Sequence, residues 1–589
     1  MKNLHIFLAL SLLLVSAAAF GQYDPERVNK KAVQKYNMAM EKAQDGDLKA
    51  ALGLLQEAAV IDKNYLEAYL SLGGVYGQLK NREQSILNYE KAFAIDSNFA
   101  SDFRLPYSIN LAGLGQFEKA LQSIEALLAR PNLGSNTRKA AEYRRNTYLF
   151  AINYAKEKGT SAYVFAPRNM GDGVNSAESE YFPTMPIDSR ELIFTRKLNH
   201  FNEDFFGSRK TDDTWGKAVR LNGSINTPMN EGAQNVSQDG NWLIFTGCNR
   251  EDGYGSCDLY ISYLTEDGWS EAMNLGNSIN TDQWESQPSL SPDKRELYFA
   301  SRRPGGFGGS DIYVSTLQTN GRWSQPRNLG SGINTPGDES SPFIHADNQT
   351  LYFASTGLPG YGEEDLYLVR RQANGSWGTP ENLGYPINTI SHEGTLFIAS
   401  DGKTAYYASD RADTRGGLDI YTFELREDIR PFKTLWVKGR VFDKKTKAGL
   451  PSSVELIDLA TSQVISSVRT DETGNYMITL PVGKDYAFNV NRRNYLFYSD
   501  NFLLKDKSPD STYQKDIPLQ PIEINASVVL RNIFFDFGKF ELRPESQVEL
   551  DRVVQLLKDN PAVKIQIEGH TDNVGNAKEN QQLSEKRSR

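Results

Sequence analysis

The sequence predicts a multidomain chain made, in order, of an all-α helical repeat array, a five-bladed β-propeller, a β-sandwich and a C-terminal α/β domain. Three observations carry this. At 589 residues the chain exceeds what one hydrophobic core serves, so several domains are needed. Two internal repeats follow one another, the first of 34 to 35 positions with helical patterning and the second of 54 with strand patterning. The composition is globular, with 39% apolar and 24% charged residues, while 29 Tyr, 29 Phe and 47 Gly supply aromatic strands and tight turns.

The chain opens on Lys2, an apolar run from Ile6 to Val15 and the small residues Ala17, Ala18 and Ala19. This is the three-part form of a secretory signal, assigned to residues 1–21, and it is too short to span a membrane. No cysteine stands near the cleavage site to accept a lipid, and no later run reaches the length of a membrane helix. The mature protein is expected to be soluble. Export takes the only two cysteines, Cys248 and Cys257, out of the reducing cytoplasm, so they read as a local disulfide. Two sulfurs do not fill a tetrahedral metal site, and the spacing is not that of a C-x-x-C redox pair. A formal net charge of −9 without a basic stripe speaks against nucleic acid as a partner.

Residues 30–155 form the helical array. Ile61-Asp62-Lys63-Asn64-Tyr65 recurs as Ile95-Asp96-Ser97-Asn98-Phe99, and Gly46 to Leu52 is answered by Lys80 to Ile86 and again by Gly115 to Leu121. Small Ala51, Ser85 and Ala120 let paired helices approach, and Leu55 and Tyr89 fill the space between them. The pattern resembles tetratricopeptide repeats, which implies a concave groove that takes peptides or partner proteins. A plain structural spacer is the alternative reading.

From 161 to 426 the longer repeat takes over. Trp215, Trp269, Trp323 and Trp377 stand 54 apart, as do Asn226-Thr227, Asn280-Thr281, Asn334-Thr335 and Asn388-Thr389. A carboxylate follows each pair, then a turn, an aromatic strand such as Leu297-Tyr298-Phe299-Ala300-Ser301, and an Asp at 258, 311, 365 or 419. Four short strands per repeat is the sequence form of a propeller blade. The last repeat lacks its final piece, which stands instead before the first repeat as Pro167 to Asn175, matching Pro326 to Asn334. The N-terminal strand is therefore expected to complete the last blade and close a ring of five, one blade for each of Glu180, Glu231, Glu285, Glu339 and Glu393. The repeats resemble the WD-like propeller repeats of bacterial envelope proteins. The five carboxylates either ring a channel and hold a cation, or cap turns by accepting from backbone donors. The Gly-rich run Pro304 to Gly309 lacks the Lys-Ser/Thr ending of a phosphate loop and reads as a connection between strands.

Residues 434–520 alternate apolar and polar with frequent turn signals, as a small β-sandwich does. The order Gly439-Arg440-Val441, Val454-Glu455-Leu456, Thr470-Asp471-Glu472-Thr473-Gly474-Asn475-Tyr476 resembles the carboxypeptidase regulatory-like domain. That resemblance implies a spacer or adhesion module without catalysis.

Residues 530–589 read as strand, helix, strand, helix: Phe534 to Phe537, then Leu542 to Leu557 with Pro544 in its first turn and Asn560-Pro561 ending it, then Val563 to Asp572, then a helix after Gly575. On that last helix Asn580, Ser584 and Arg587 share one face. The motif Phe535-Asp536-Phe537-Gly538 together with Gly569-His570-Thr571-Asp572 resembles the OmpA-like peptidoglycan-binding domain. The resemblance implies that Asp572 receives the ammonium, and Arg587 with Asn580 the carboxylate, of meso-diaminopimelate in a peptidoglycan stem peptide, with Thr571 and Asn573 beside them. A structural ion pair between Asp572 and Arg587 is the alternative. Domains of this family continue past the equivalent of Arg587, so the C-terminal domain is expected to be incomplete, a truncated form. His570 reads as a turn residue.

The order of the four domains resembles OmpA-family envelope proteins of the Bacteroidota, including a component attached to the type IX secretion machinery. That implies a non-enzymatic scaffold in the periplasm, associated with the outer membrane and peptidoglycan, with envelope or secretion proteins bound through the helical repeats and the propeller. No cofactor or metal ion is expected. The rival is a carbohydrate-binding or carbohydrate-active propeller working through scattered carboxylates. The chain has no G-x-S-x-G and no H-E-x-x-H motif, and after the signal only His200, His345, His392 and His570.

Overall fold

The computed structural model describes residues 23–159, 163–199, 202–318, 320–372, 374–411, 413–506, 512–572 and 574–588. The expected signal sequence and Asn573 lie outside them. The chain divides into two compact units, residues 1–153 and 154–589.

The first unit is helical, with α1 (Lys30–Gln44), α2 (Leu48–Ile61), α3 (Leu66–Gln78), α4 (Arg82–Ile95), α5 (Arg104–Gly113) and α6 (Phe117–Leu128), followed by α7 (Ser135–Lys158), which runs past its boundary. Asn29, Asp47 and Asn81 stand at N-caps and accept from the N–H groups of Lys31, Ala50 and Gln84, which satisfies donors the helix leaves open. The helices pack as consecutive hairpins, α1 on α2, α3 on α4 and α5 on α6. Ala51, Ser85 and Ala120 are wholly buried, and Ser85 Oγ donates to the Gly73 carbonyl at 2.6 Å. A Cβ on Gly73 would lie 2.8 Å from the Tyr89 ring, so the glycine is what lets that ring lie against α3.

In the second unit, antiparallel sheets of four or five strands follow one another between residues 168 and 424, laid out as in a β-propeller. Their first strands are Ser179–Thr184, Asn230–Val236, Glu285–Leu290, Glu339–Ile344 and Leu396–Ile398. Each touches the first strand of the next sheet, and Leu396–Ile398 touches Ser179–Thr184, so the row of first strands closes on itself. Side chains tie neighbours together. Val236 N–H donates to Thr184 Oγ1 at 3.3 Å, Leu290 N–H to Asn235 Oδ1 at 2.9 Å, and Ile344 N–H to Ser289 Oγ at 3.0 Å. Strand Arg168–Asn169 pairs with Asp419–Glu424, Arg168 opposite Thr422 and Asn169 opposite Tyr421, so the last sheet is completed from the start of the region. Part of the edge of Asp419–Glu424 is thereby paired.

Two further sheets make the sandwich. One contains Asn475–Pro481, Thr434–Asp443, Tyr513–Gln514 and Ile517–Leu519, the other Val464–Arg469, Ser453–Asp458, Asp485–Asn491 and Tyr498–Leu503. Val437, Leu456, Ile478 and Phe488 belong to the core between them. The sandwich rests on turns of the β-rich ring, where Ser467 N–H donates to Asp293 Oδ2 at 3.2 Å and Asn348 Nδ2 to the Ile465 carbonyl at 2.7 Å.

The C-terminal segment departs from expectation. Helices α8 (Gln547–Asp559) and α9 (Ala577–Arg587) form, yet no strand occurs among the described residues after Leu519, and the expected strands reduce to one isolated bridge between Phe535 and Leu542. Alternation alone makes a strand only where a neighbour completes the ladder. Residues 563–568 have no such neighbour, which leaves Ile565 44% and Ile567 53% exposed.

Candidate ligand site of the C-terminal segment

Helix α8 is seated on the sandwich. Pro544 opens a short 3-10 turn that leads into it. Val548 is buried among Ile457, Leu459 and Ala487, with Phe534 packed alongside, and Arg552 pairs with Glu455 at 2.6 Å. Glu549 is wholly buried and accepts from Ser499 Oγ at 2.6 Å and Asn532 Nδ2 at 2.9 Å. Burial pushes its carboxyl above the usual range, and the hydrogen bonds from Ser499 and Asn532 oppose the rise.

Helix α9 carries the predicted residues. Asn576 caps it, its side chain accepting from the N–H groups of Lys578 and Glu579. Along one face, Asn580 Nδ2 donates to the carbonyls of Asp572 at 3.2 Å and Val574 at 3.0 Å, and Ser584 Oγ donates to the Gly569 carbonyl at 2.7 Å. A Cβ on Gly569 would meet the Ser584 carbonyl oxygen at 2.5 Å, so glycine is required for this approach. One turn on, Arg587 donates through Nε and Nη2 to the Lys539 carbonyl at 3.1 and 2.9 Å, and its guanidinium lies 4.3 Å from the Phe535 ring centre. These bonds use two of five N–H donors and leave the rest for a ligand.

Asp572 is exposed, and its carboxylate accepts from Val574 N–H at 3.3 Å. No ion pair joins it to Arg587, so the two charges do not neutralise each other directly. Thr571 Oγ1 donates to the Asp572 carbonyl at 3.1 Å, a backbone contact that shapes the turn. His570 is exposed, 3.9 Å from Glu568. Sequence reasoning missed the parts played by Lys539 and Phe535; the only hint was their place in the Phe534 to Lys539 run.

The repeated carboxylates of the ring have a different task. Glu285 accepts from Thr281 N–H at 2.7 Å, Thr281 Oγ1 at 2.8 Å and Ser301 Oγ at 2.7 Å. The same side-chain and backbone pair, from Ser or Thr four residues before, meets Glu180, Glu231, Glu339 and Glu393. These groups are turn caps. The Gly-rich run folds round Asp311, which accepts from the N–H groups of Phe307 at 2.6 Å and Gly308 at 3.1 Å. A small cavity of about 40 Å³ lies where the first strands converge, lined by residues such as Phe182, Gln234, Gln287, Ser341 and Phe397 and by no Asp, Glu or His. Cys248 and Cys257 face each other as strand partners and are joined. Among the described residues no group of three His, Cys, Asp or Glu is placed to hold a metal ion, and no helix is long and apolar enough to cross a membrane.

Residues 534–589 match the sequence profile of the OmpA family. Outer membrane porin F of Pseudomonas aeruginosa is 32% identical over 84 residues, which cover 14% of this chain and 24% of porin F. The chain thus spans about a quarter of the length of that relative. Among solved structures, a putative TolB from Agrobacterium tumefaciens is 14% identical, covering 52% of this chain and 91% of its own, with a TM-score of 0.28. A thermostable family-43 glycoside hydrolase is likewise 14% identical over 44% of this chain and 93% of its own, with a TM-score of 0.32.

Proposed function

We propose that this protein is a non-enzymatic scaffold of the cell envelope whose C-terminal segment grips peptidoglycan. In this reading Asp572 receives the ammonium of a diaminopimelate-type stem peptide. Arg587 receives its carboxylate with Asn580 alongside, and Thr571 and Asn573 border the pocket. The observation that carries it is the pairing of an exposed, unneutralised Asp572 with a guanidinium held on the facing helix by Phe535 and the Lys539 carbonyl. A zwitterion fits two opposite charges kept apart better than a closed ion pair would.

The remaining domains complete the proposal. Residues 30–155 act as tetratricopeptide repeats and residues 161–426 as a five-bladed propeller, both taking protein partners. Residues 434–520 act as a carboxypeptidase regulatory-like spacer, and residues 530–589 as the OmpA-like domain. The protein works in the periplasm beside the outer membrane; a link to type IX secretion rests on the order of the domains alone. Glycoside hydrolysis needs two carboxylates about the scissile bond, and the lining of the central cavity offers none, so no catalytic step is assigned.

Retention of the full chain on diaminopimelate-containing sacculi tests the site. Asp572→Ala and Arg587→Ala are each expected to lower retention at least tenfold, and Arg587→Lys to lower it less. Wild-type retention by both alanine variants would sink the assignment.

A further inference from the structure

The gaps between neighbouring sheets of the ring are not closed alike. Each sheet turns between its first and second strands through a residue of left-handed φ, namely Ser189, Gly240, Lys294, Asn348 and Gly402. At each turn this residue's N–H donates three residues back, to Pro186, Ser237, Ser291, His345 and Ala399, so the positions are equivalent. A second equivalent set stands at the end of the third strand: Lys210, Leu264, Leu317, Arg371 and Leu425 each donate through the backbone N–H to the carbonyl of the residue after that turn.

Two of the three cations at these places, Lys294 and Arg371, bridge to the preceding sheet, while Lys210 pairs with Asp213 of its own sheet at 3.5 Å. Lys294 pairs with Asp239 and lies 4.8 Å from the Trp242 ring centre, which closes the gap between the second and third sheets. Arg371 donates to Glu296 at 2.6 Å and Tyr298 Oη at 2.8 Å, which closes the gap between the third and fourth. Between the first and second sheets the two places hold Gly240 and Leu264, and neither reaches across. A cleft of about 800 Å³ remains there.

Its lining has two characters. Ile193, Val236 and Trp269, each under a tenth exposed, contribute apolar surface, and Leu264 stands 48% exposed at the rim. Five cationic side chains, Arg190, Arg209, Lys210, Lys217 and Arg220, meet three carboxylates, Asp188, Glu191 and Asp239. Arg209 is paired with Glu191 at 3.3 Å, Arg220 with buried Asp204 at 2.9 Å, and Asp239 with Lys294. Arg190 and Lys217 have no side-chain partner among the described residues.

We propose that this cleft binds an extended acidic peptide segment of a partner protein, with an apolar side chain set against Leu264 at the rim and carboxylates on Arg190 and Lys217. A sugar chain fits less well, because Trp269 is only 7% exposed and offers no open ring face for stacking. The inference deepens the reading of the ring as a partner-binding module and does not depend on the peptidoglycan site.

The test uses the full chain on an array of random dodecapeptides at low salt, where exposed charges act over about 30 Å. The array is expected to select peptides rich in Asp and Glu with an interspersed apolar residue, and 0.5 M salt to weaken them. Gly240→Lys installs the bridge of the neighbouring sheet at a turn that accepts lysine at position 294, and is expected to weaken the selected peptides at least tenfold. Arg190→Glu with Lys217→Glu is expected to do the same by charge, with an unchanged thermal unfolding midpoint of both variants as a check that the chain is folded. Selected peptides without acidic bias, or acidic peptides that bind both variants as they bind wild type, would overturn the cleft; the latter result leaves partner binding by the ring standing. An array with no binders at all would overturn both.

Discussion

At the scale of single residues, Glu549 shows how a buried charge is tolerated where two domains meet. It is wholly buried, two neutral donors meet it, and no cation pairs with it among the described residues. Burial raises its carboxyl in the folded chain. Above the ordinary glutamate range and below that raised value, the folded state therefore holds a proton that the unfolded chain has released. Stability falls as pH rises through that window and levels off above it. Glu549→Gln keeps a carbonyl oxygen for Ser499 and Asn532 and removes the proton linkage. Urea denaturation is expected to show the variant more stable than wild type at pH 8, by on the order of 1 kcal/mol, with the gap closing towards pH 4. A gap independent of pH would contradict this account.

At the scale of elements, the repeating turn of the ring is a small machine for satisfying backbone groups. In the second sheet Asn280 accepts from Leu259 N–H at 2.8 Å and donates to the Leu259 carbonyl at 3.0 Å and to Asn274 Oδ1 at 2.8 Å. Asn334 and Asn388 do the same for Ile312 and Leu366. The Asn, the Ser or Thr, and the Glu of every repeat thus recur because each loop must pair its buried donors. The disulfide adds a constraint in one sheet only, joining the end of Trp242–Cys248 to the start of Cys257–Thr265 across a separation of nine residues. Closing so short a loop in the unfolded chain is worth roughly 2 to 3 kcal/mol. Cys248→Ala with Cys257→Ala, or reduction of the wild type, is expected to lower the denaturation midpoint accordingly, and reduction is expected to have no further effect on the double variant.

At the scale of the whole molecule, closure of the ring depends on a strand that precedes it in the chain. Strand Arg168–Asn169 covers the edge of the last sheet, and Asn175 Nδ2 donates to the Ile420 carbonyl at 2.9 Å while its Oδ1 accepts from Ile420 N–H at 2.8 Å. A chain begun at residue 154 keeps these contacts, and one begun at residue 176 loses them. The first is expected to give a soluble protein with cooperative thermal unfolding, the second to aggregate or to melt well below it. Equal melting temperatures for the two would show that the ring holds without its closing strand.

Much of this architecture was legible because repeats write their geometry into spacing. The 54-residue period and the displaced Pro167 to Asn175 piece are self-similarities of the sequence, and the shared face of Asn580, Ser584 and Arg587 follows from the helix period alone. The tertiary structure decided everything that needs a distant partner. It turned the five carboxylates into caps, left residues 563–568 without a ladder, and seated Arg587 on a carbonyl 48 positions away. It also left a cleft between the first and second sheets, where Gly240 stands at the position that Lys294 holds in the third. Such contacts depend on which surfaces the folded chain brings together, and spacing along the sequence does not specify that.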